Sequence, residues 1–86
     1  MKRYIVDFRN IQNMEEAHKE IEEAFEFPDY YGKNLDALSD CLSELDIDSH
    51  VYVLIYETVF DGFEDVIEVF DDKDVEYEII IDNNLE

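Results

Sequence analysis

The sequence predicts a small α/β domain, a three-stranded parallel sheet with helices packed mainly on one face. Three observations carry that expectation. Runs of β-forming residues at Tyr4-Ile5-Val6-Asp7-Phe8, Val51 to Tyr56 and Tyr77 to Ile81 are separated by segments whose apolar residues recur at helical spacing, and such alternation favours parallel strands joined by helical crossovers. The middle run, Val51-Tyr52-Val53-Leu54-Ile55-Tyr56, is unbroken apolar sequence, the pattern of a parallel strand buried on both faces. At 86 residues the chain is one domain, residues 1–86, and three strands with this many apolar side chains leave too little material to cover a second face.

Taken in order, the first strand gives way to Asn13-Met14-Glu15-Glu16, which has the form of a capping box: Asn13 can cap and Glu16 can reach back. Met14, Ala17, Ile21 and Phe25 then follow at helical spacing, and the helix must end before Pro28 because proline disfavours helix in the residue preceding it. Leu35, Leu38, Leu42 and Leu45 mark a second amphipathic helix, with Asn34 placed to cap it. A third begins around Asp61-Gly62-Phe63-Glu64 and carries Phe63, Val66, Ile67 and Phe70 on one side. The expected order is β-α-α-β-α-β. His18 is expected to edge the first helix and His50 to lie in a turn.

Charge is the most extreme property of the chain. It has 25 acidic against 6 basic side chains, a formal net charge of -19, and no Lys or Arg between Asn34 and Asp72, so ion pairs cannot neutralise that half. Such a surface repels nucleic acid and anionic membranes and draws in a basic protein at raised on-rates. Solubility or adaptation to high salt would account for the net charge equally well. Apolar residues at 47% rule out a disordered acidic tail. The lone cysteine, Cys41, permits no internal disulfide and suits a reducing compartment. No apolar run is long enough to cross a bilayer, and Asp7 interrupts the start before a secretory core could form. The expected location is cytoplasmic, and the expected free state is a monomer.

The second helix carries the functional signal. At about 100° per residue the four leucines cluster on one side, Cys41 falls at their border as a small core residue, and Asp36, Ser39, Asp40 and Ser43 point the opposite way. Asp36 sits in the first turn, where the helix dipole favours an anion. Asp40 lies beyond that turn, and like charges at i,i+4 cost a few tenths of a kcal/mol, so helix stability does not explain it. The preceding loop adds Tyr30 and Tyr31. Exposed tyrosines serve as recognition anchors, and one of these two rings is expected to fold inward as core.

The segment from Pro28 to Leu42 reads Pro-x-Tyr-Tyr-Gly-x-Asn-Leu-Asp-Ala-Leu-x-Asp-Cys-Leu, and in it the chain resembles the barstar family of intracellular ribonuclease inhibitors. The resemblance implies a three-stranded parallel sheet with helices packed on it and an acidic helix that plugs a ribonuclease active site. It would place Asp40 where substrate phosphate sits, facing the enzyme's arginines and catalytic histidine. Asp36 would meet an arginine at the edge, Tyr30 would pack against the histidine, and Gly32 and Asn34 would shape the contacting loop. Asp72 would stand where the family has a glutamate that reaches a further arginine. Ser39 departs from the family, which has a tryptophan there, and a large apolar contact is thereby lost from the middle of the motif.

Other chemistries fare worse. An acid/base pair of Asp36 and Asp40 would need a cleft that drives their pKa values apart, which an exposed helix face does not offer. His18, Cys41 and His50 have no metal-ligand spacing. Asp46-Ile47-Asp48-Ser49-His50 starts like a calcium loop but lacks its later glycine and glutamate. Neither metal nor cofactor is expected. Two alternatives to ribonuclease inhibition stay open: a broader nucleic-acid mimic binding another basic protein, and an interaction domain with a different target.

Overall fold

In the computed structural model, which describes residues 2–28, 31–46 and 48–82, strands and helices follow the order β1 (Arg3–Asp7), α1 (Met14–Phe25), α2 (Leu35–Leu42), β2 (His50–Ile55), α3 (Phe63–Asp72) and β3 (Glu76–Ile81). The three strands form one parallel sheet in the order β1-β2-β3. Val6 pairs with Val53 and Val53 with Ile79, while Tyr4, Val51 and Tyr77 share the next row. These rows face the helices. Val6, Val51 and Val53 are fully buried with Ala17 and Ile21 of α1, Leu38 of α2, and Val66 and Phe70 of α3.

The helices cover one face only, as expected, and this corrects the expectation for β2. Its residues alternate between half-buried and buried, because the row Ile5, Tyr52 and Glu78 and the row Asp7, Leu54 and Ile80 lie on the uncovered side. Tyr52 and Leu54 are half-buried there, flanked by the paired strands and, for Tyr52, by the His50 ring at 4.8 Å, and Ile5 is 61% exposed. The outer strand β3 is covered least of all, with Ile79, Ile80 and Ile81 all exposed.

Local chemistry sets the helix boundaries. At the start of α1 the Glu16 N–H donates to Asn13 Oδ1 (2.9 Å), while the Glu16 carboxylate accepts from the N–H of Gln12, one residue earlier than a standard capping box. The helix ends because Glu26 adopts a left-handed conformation (φ 57°), with the Phe27 N–H bonded to Glu22 O and the Glu26 N–H to Glu23 O. That is a complete Schellman stop, made one step before the proline has any effect. At α3 the cap is Gly62 rather than an aspartate side chain. Its φ of +106° needs glycine, and an added Cβ would lie 2.7 Å from Met14 Cγ and Sδ, so this residue also lets the first turn of α1 pack against the start of α3. A second Schellman stop ends α3, with Asp74 left-handed (φ 56°) and the Val75 N–H bonded to Phe70 O.

Arg9 locks the far end of the sheet. Its guanidinium contacts Asp7 at 2.9 Å and Asp82 at 2.9 Å, joining the ends of β1 and β3. The two carboxylates hold Arg9 protonated well above its ordinary range, and Asp7 is in turn lowered by its bonds to Arg9. On the neighbouring helix, Glu20 accepts the Asp7 N–H (3.1 Å) and has its own pKa raised, chiefly by burial.

Candidate functional site

The expected binding residues fall on the loop before α2, on α2 itself and at the end of α3. The loop is anchored by Tyr31, whose ring is buried and packs on Phe27. Its hydroxyl lies 2.7 Å from His18 Nδ1. This is the tyrosine that folds inward. Its phenol is held un-ionised by burial, with smaller contributions from Cys41 and Glu22. Tyr30 lies outside the described residues.

His18 is 4% exposed rather than at the edge of α1, and burial lowers its pKa from the ordinary 6.5. The signal for this was in the sequence, since His18 is four residues after Met14 and three before Ile21, squarely within the apolar stripe. His50 also departs from expectation. It opens β2 and faces Glu76 and Glu78, each 3.8 Å from a ring nitrogen.

Gly32 is exposed, and its carbonyl accepts from Asn34 Nδ2 (3.4 Å). A Cβ there would stand 3.3 Å from Ala37 Cβ, so a side chain would press the loop away from α2. Asn34 caps the helix as the sequence predicts, its Oδ1 accepting the Ala37 N–H at 2.7 Å. Both polar ends of the Asn34 side chain are therefore engaged in holding loop to helix. The result is a short, fixed α2 whose inner side, Leu38 and Leu42, is buried.

Asp36 and Asp40 are both exposed on the outer side. One helical turn separates them, about 5–6 Å between Cβ atoms. Among the described residues neither carboxylate takes part in a hydrogen bond or an ion pair. Lys33, at the start of this segment, lies 3.7 Å from Glu22 of α1 instead, so the one cation close in sequence leaves both carboxylates unneutralised. Ser39 is half-buried beside them, and its carbonyl accepts from Ser43 Oγ (3.0 Å). Cys41 is half-buried against the core. Its thiol is pushed up by burial first, then by Glu44 and Asp40, which makes it unreactive.

Asp72, the last residue of α3, is exposed. The ends of α2 and α3 meet at one cavity lined by Ser43 and Lys73 among others, so Asp72 stands at the same end of the molecule as the last turn of α2. At the opposite end of α2 a shallow groove of about 560 Å³ runs between Met14, Glu15 and His18 of α1 and the segment from Lys33 to Asp36. No local pattern of residues announces that groove, which joins segments distant in sequence. Among the described residues no group of His, Cys, Asp and Glu has the arrangement of a metal site, and no helix is long and apolar enough to cross a membrane.

Fold and site together define a small parallel α/β domain that displays an unneutralised acidic helix face beside a tyrosine-containing loop. A family model described as "Barstar (barnase inhibitor)" matches residues 1–83, and the chain belongs to the barstar family. It is also 49% identical, over 43 residues, to a Bacillus subtilis (strain 168) protein named "Putative ribonuclease inhibitor YrdF". That match spans 50% of this chain and 47% of the relative.

Proposed function

We propose that this protein is a stoichiometric, metal-independent inhibitor of a small basic ribonuclease of the barnase type, acting in the cytoplasm of the cell that makes the enzyme. Membership of the barstar family and the name carried by the Bacillus relative support an inhibitor rather than an enzyme. The observation that carries the mechanism is the pair Asp36 and Asp40, exposed on a capped helix and free of partners among the described residues. A ribonuclease must hold RNA phosphate with cations, and carboxylates accept strong charge-assisted hydrogen bonds from the same Arg and Lys groups.

In this mechanism Asp40 occupies the phosphate position facing the enzyme's arginines and catalytic histidine, and Asp36 meets an arginine at the rim. Tyr30 packs on the histidine, Gly32 and Asn34 hold the loop close to the enzyme, Ser39 fills the space between the carboxylates, and Asp72 reaches a further cation. Because α2 is fixed by its cap and by Leu38 and Leu42, little ordering cost falls on binding. The inhibitor works by occupying the site, and no bond is made or broken.

The test is titration of barnase-like, guanyl-preferring ribonucleases with wild type, Asp36→Ala and Asp40→Ala. Removing one partner of a buried charge pair costs at least about 2 kcal/mol, roughly a thirtyfold rise in Ki. Equal inhibition by wild type and Asp40→Ala at moderate salt would show that the site is elsewhere, and a small loss shared among many carboxylates would favour a diffuse nucleic-acid mimic.

A further inference from the structure

The cavity where α2 and α3 end, about 300 Å³, is at the small end of ligand sites and has three features that none of the roles above uses. Ser49 lines it and is 5% exposed, yet its Oγ has no hydrogen-bond partner among the described residues. Native proteins rarely leave such a group unsatisfied, and an unpaired buried hydroxyl points to a missing partner. Second, the negative ends of two helix dipoles converge here, with no basic residue in the last turn of α2 or α3. Third, the lining divides by chemistry: Leu42, Leu45 and Val75 supply apolar wall, while the exposed Asp46 and Asp74 add acidic side chains to it.

An occupant must therefore be cationic, donate several hydrogen bonds at once, and have an apolar stem. A metal ion does not meet this description, because no metal-ligand cluster exists among the described residues. A guanidinium does. Its planar set of five N–H donors can serve a hydroxyl and separate carboxylates together, whereas an ammonium presents a compact point charge. The aliphatic part of an arginine would lie along the leucines and valine.

We propose that this cavity is a guanidinium subsite, which receives an arginine side chain of the ribonuclease with Ser49 Oγ, Asp46 and Asp74 as acceptors. This rests on the inhibitor function proposed above and extends the contact surface past Asp40 and Ser43 to the far end of α2. Two further charged groups adjoin the subsite. Glu76 also lines it but lies 3.8 Å from His50 Nδ1. Lys73 stands on the rim and has no ion pair among the described residues, so it competes with the incoming cation.

The free protein is titrated with blocked arginine (N-acetyl-arginine methylamide) and blocked lysine while backbone amides are followed by NMR. Arginine should shift the amides around Leu45, Ser49 and Val75 and bind more tightly than lysine. Asp74→Asn, which keeps a residue tolerant of the left-handed backbone, should weaken arginine binding about tenfold, the loss of a hydrogen bond to a charged group. Ser49→Ala should weaken it while raising Tm, because an unpaired hydroxyl is removed. Lys73→Gln should tighten it. No arginine-specific shift at these amides overturns the subsite, as does a Lys73→Gln variant that binds arginine more weakly. In ribonuclease assays, loss of inhibition on Asp40→Ala with unchanged Ki for Ser49→Ala and Asp74→Asn overturns the subsite and leaves the inhibitor function standing. Arginine binding by a protein that inhibits no barnase-like ribonuclease overturns the assigned partner.

Discussion

His18 should make this protein lose stability as pH falls below neutrality, and replacing it by glutamine should remove that loss. The histidine is buried to 4% exposure on α1, and its Nδ1 lies 2.7 Å from the Tyr31 hydroxyl. Burial lowers its pKa from the ordinary 6.5, so the folded chain holds His18 neutral at pH values where the unfolded chain has begun to protonate it. The contribution is fully present above the unfolded value. It is lost as pH falls from 6.5 toward the lower folded value, and it stops changing below that value. One proton difference gives a slope of at most about 1.4 kcal/mol per pH unit. For a domain of this size each kcal/mol corresponds to about 4–8 °C in Tm.

The assay is urea unfolding of wild type and His18→Gln between about pH 5.5 and 7.5 at fixed ionic strength, a range that favours histidine titration over that of carboxylates. Glu20 acts in the opposite sense, since its pKa is raised by burial from 4.5 and its contribution falls as pH rises through that lower window. A companion variant, Tyr31→Phe, keeps the ring and removes the hydroxyl. It should cost about 1–3 kcal/mol, because His18 is left buried without its partner. Parallel pH slopes in wild type and His18→Gln would refute the reasoning. The outcome bears on function through the loop, since Tyr31 is the buried anchor beside Gly32 and Asn34.

Three further outcomes are expected. Glu26→Gly should raise stability by about 0.5–1 kcal/mol in urea unfolding, because a left-handed non-glycine residue costs about 1–2 kcal/mol and glycine returns part of that as chain entropy. Asp40→Asn should stabilise the free protein by about 0.5–1 kcal/mol at low salt while weakening inhibition, since Asp40 repels Asp36 one turn away and sits toward the negative end of α2, and the gain should shrink on adding salt. Raising NaCl should increase the unfolding midpoint of the wild type and slow its association with a basic ribonuclease in stopped-flow measurements, both consequences of the net charge of -19.

What was legible in the sequence is what depends on spacing. Six elements, the two asparagine caps, the parallel sheet and the outward direction of Asp36 and Asp40 follow from periods of two and of about 3.6 residues and from short-range hydrogen bonding. What was not legible depends on which neighbours arrive from afar. The apolar run of β2 reads as buried on both faces, yet all three helices pack on one side, and only the structure shows Tyr52 and Leu54 in the rows of Ile5 and Ile80, on the face that the helices leave uncovered. Pro28 looks like the reason that α1 ends, whereas the backbone has already turned at Glu26. Neither the groove against α1 nor the cavity around Ser49 has a local signature, because each is lined by segments distant in sequence.

The position of the acidic face also explains how an 86-residue chain tolerates so much charge. Helix α2 has eight residues, far fewer than an isolated helix needs in water, and it carries like charges one turn apart without a lysine to offset them. It persists because its other side is core: Leu38 and Leu42 are buried, and Asn34 ties its start to the loop. Burial of a leucine contributes about 1.5–3 kcal/mol, several times the few tenths of a kcal/mol lost to the repulsion between Asp36 and Asp40. Packing on one side of the helix therefore outweighs electrostatic frustration on the other, and that frustration is available to be relieved by any surface that brings cations. A helix stabilised instead by its own ion pairs would have neutralised the carboxylates to which the proposed mechanism assigns binding.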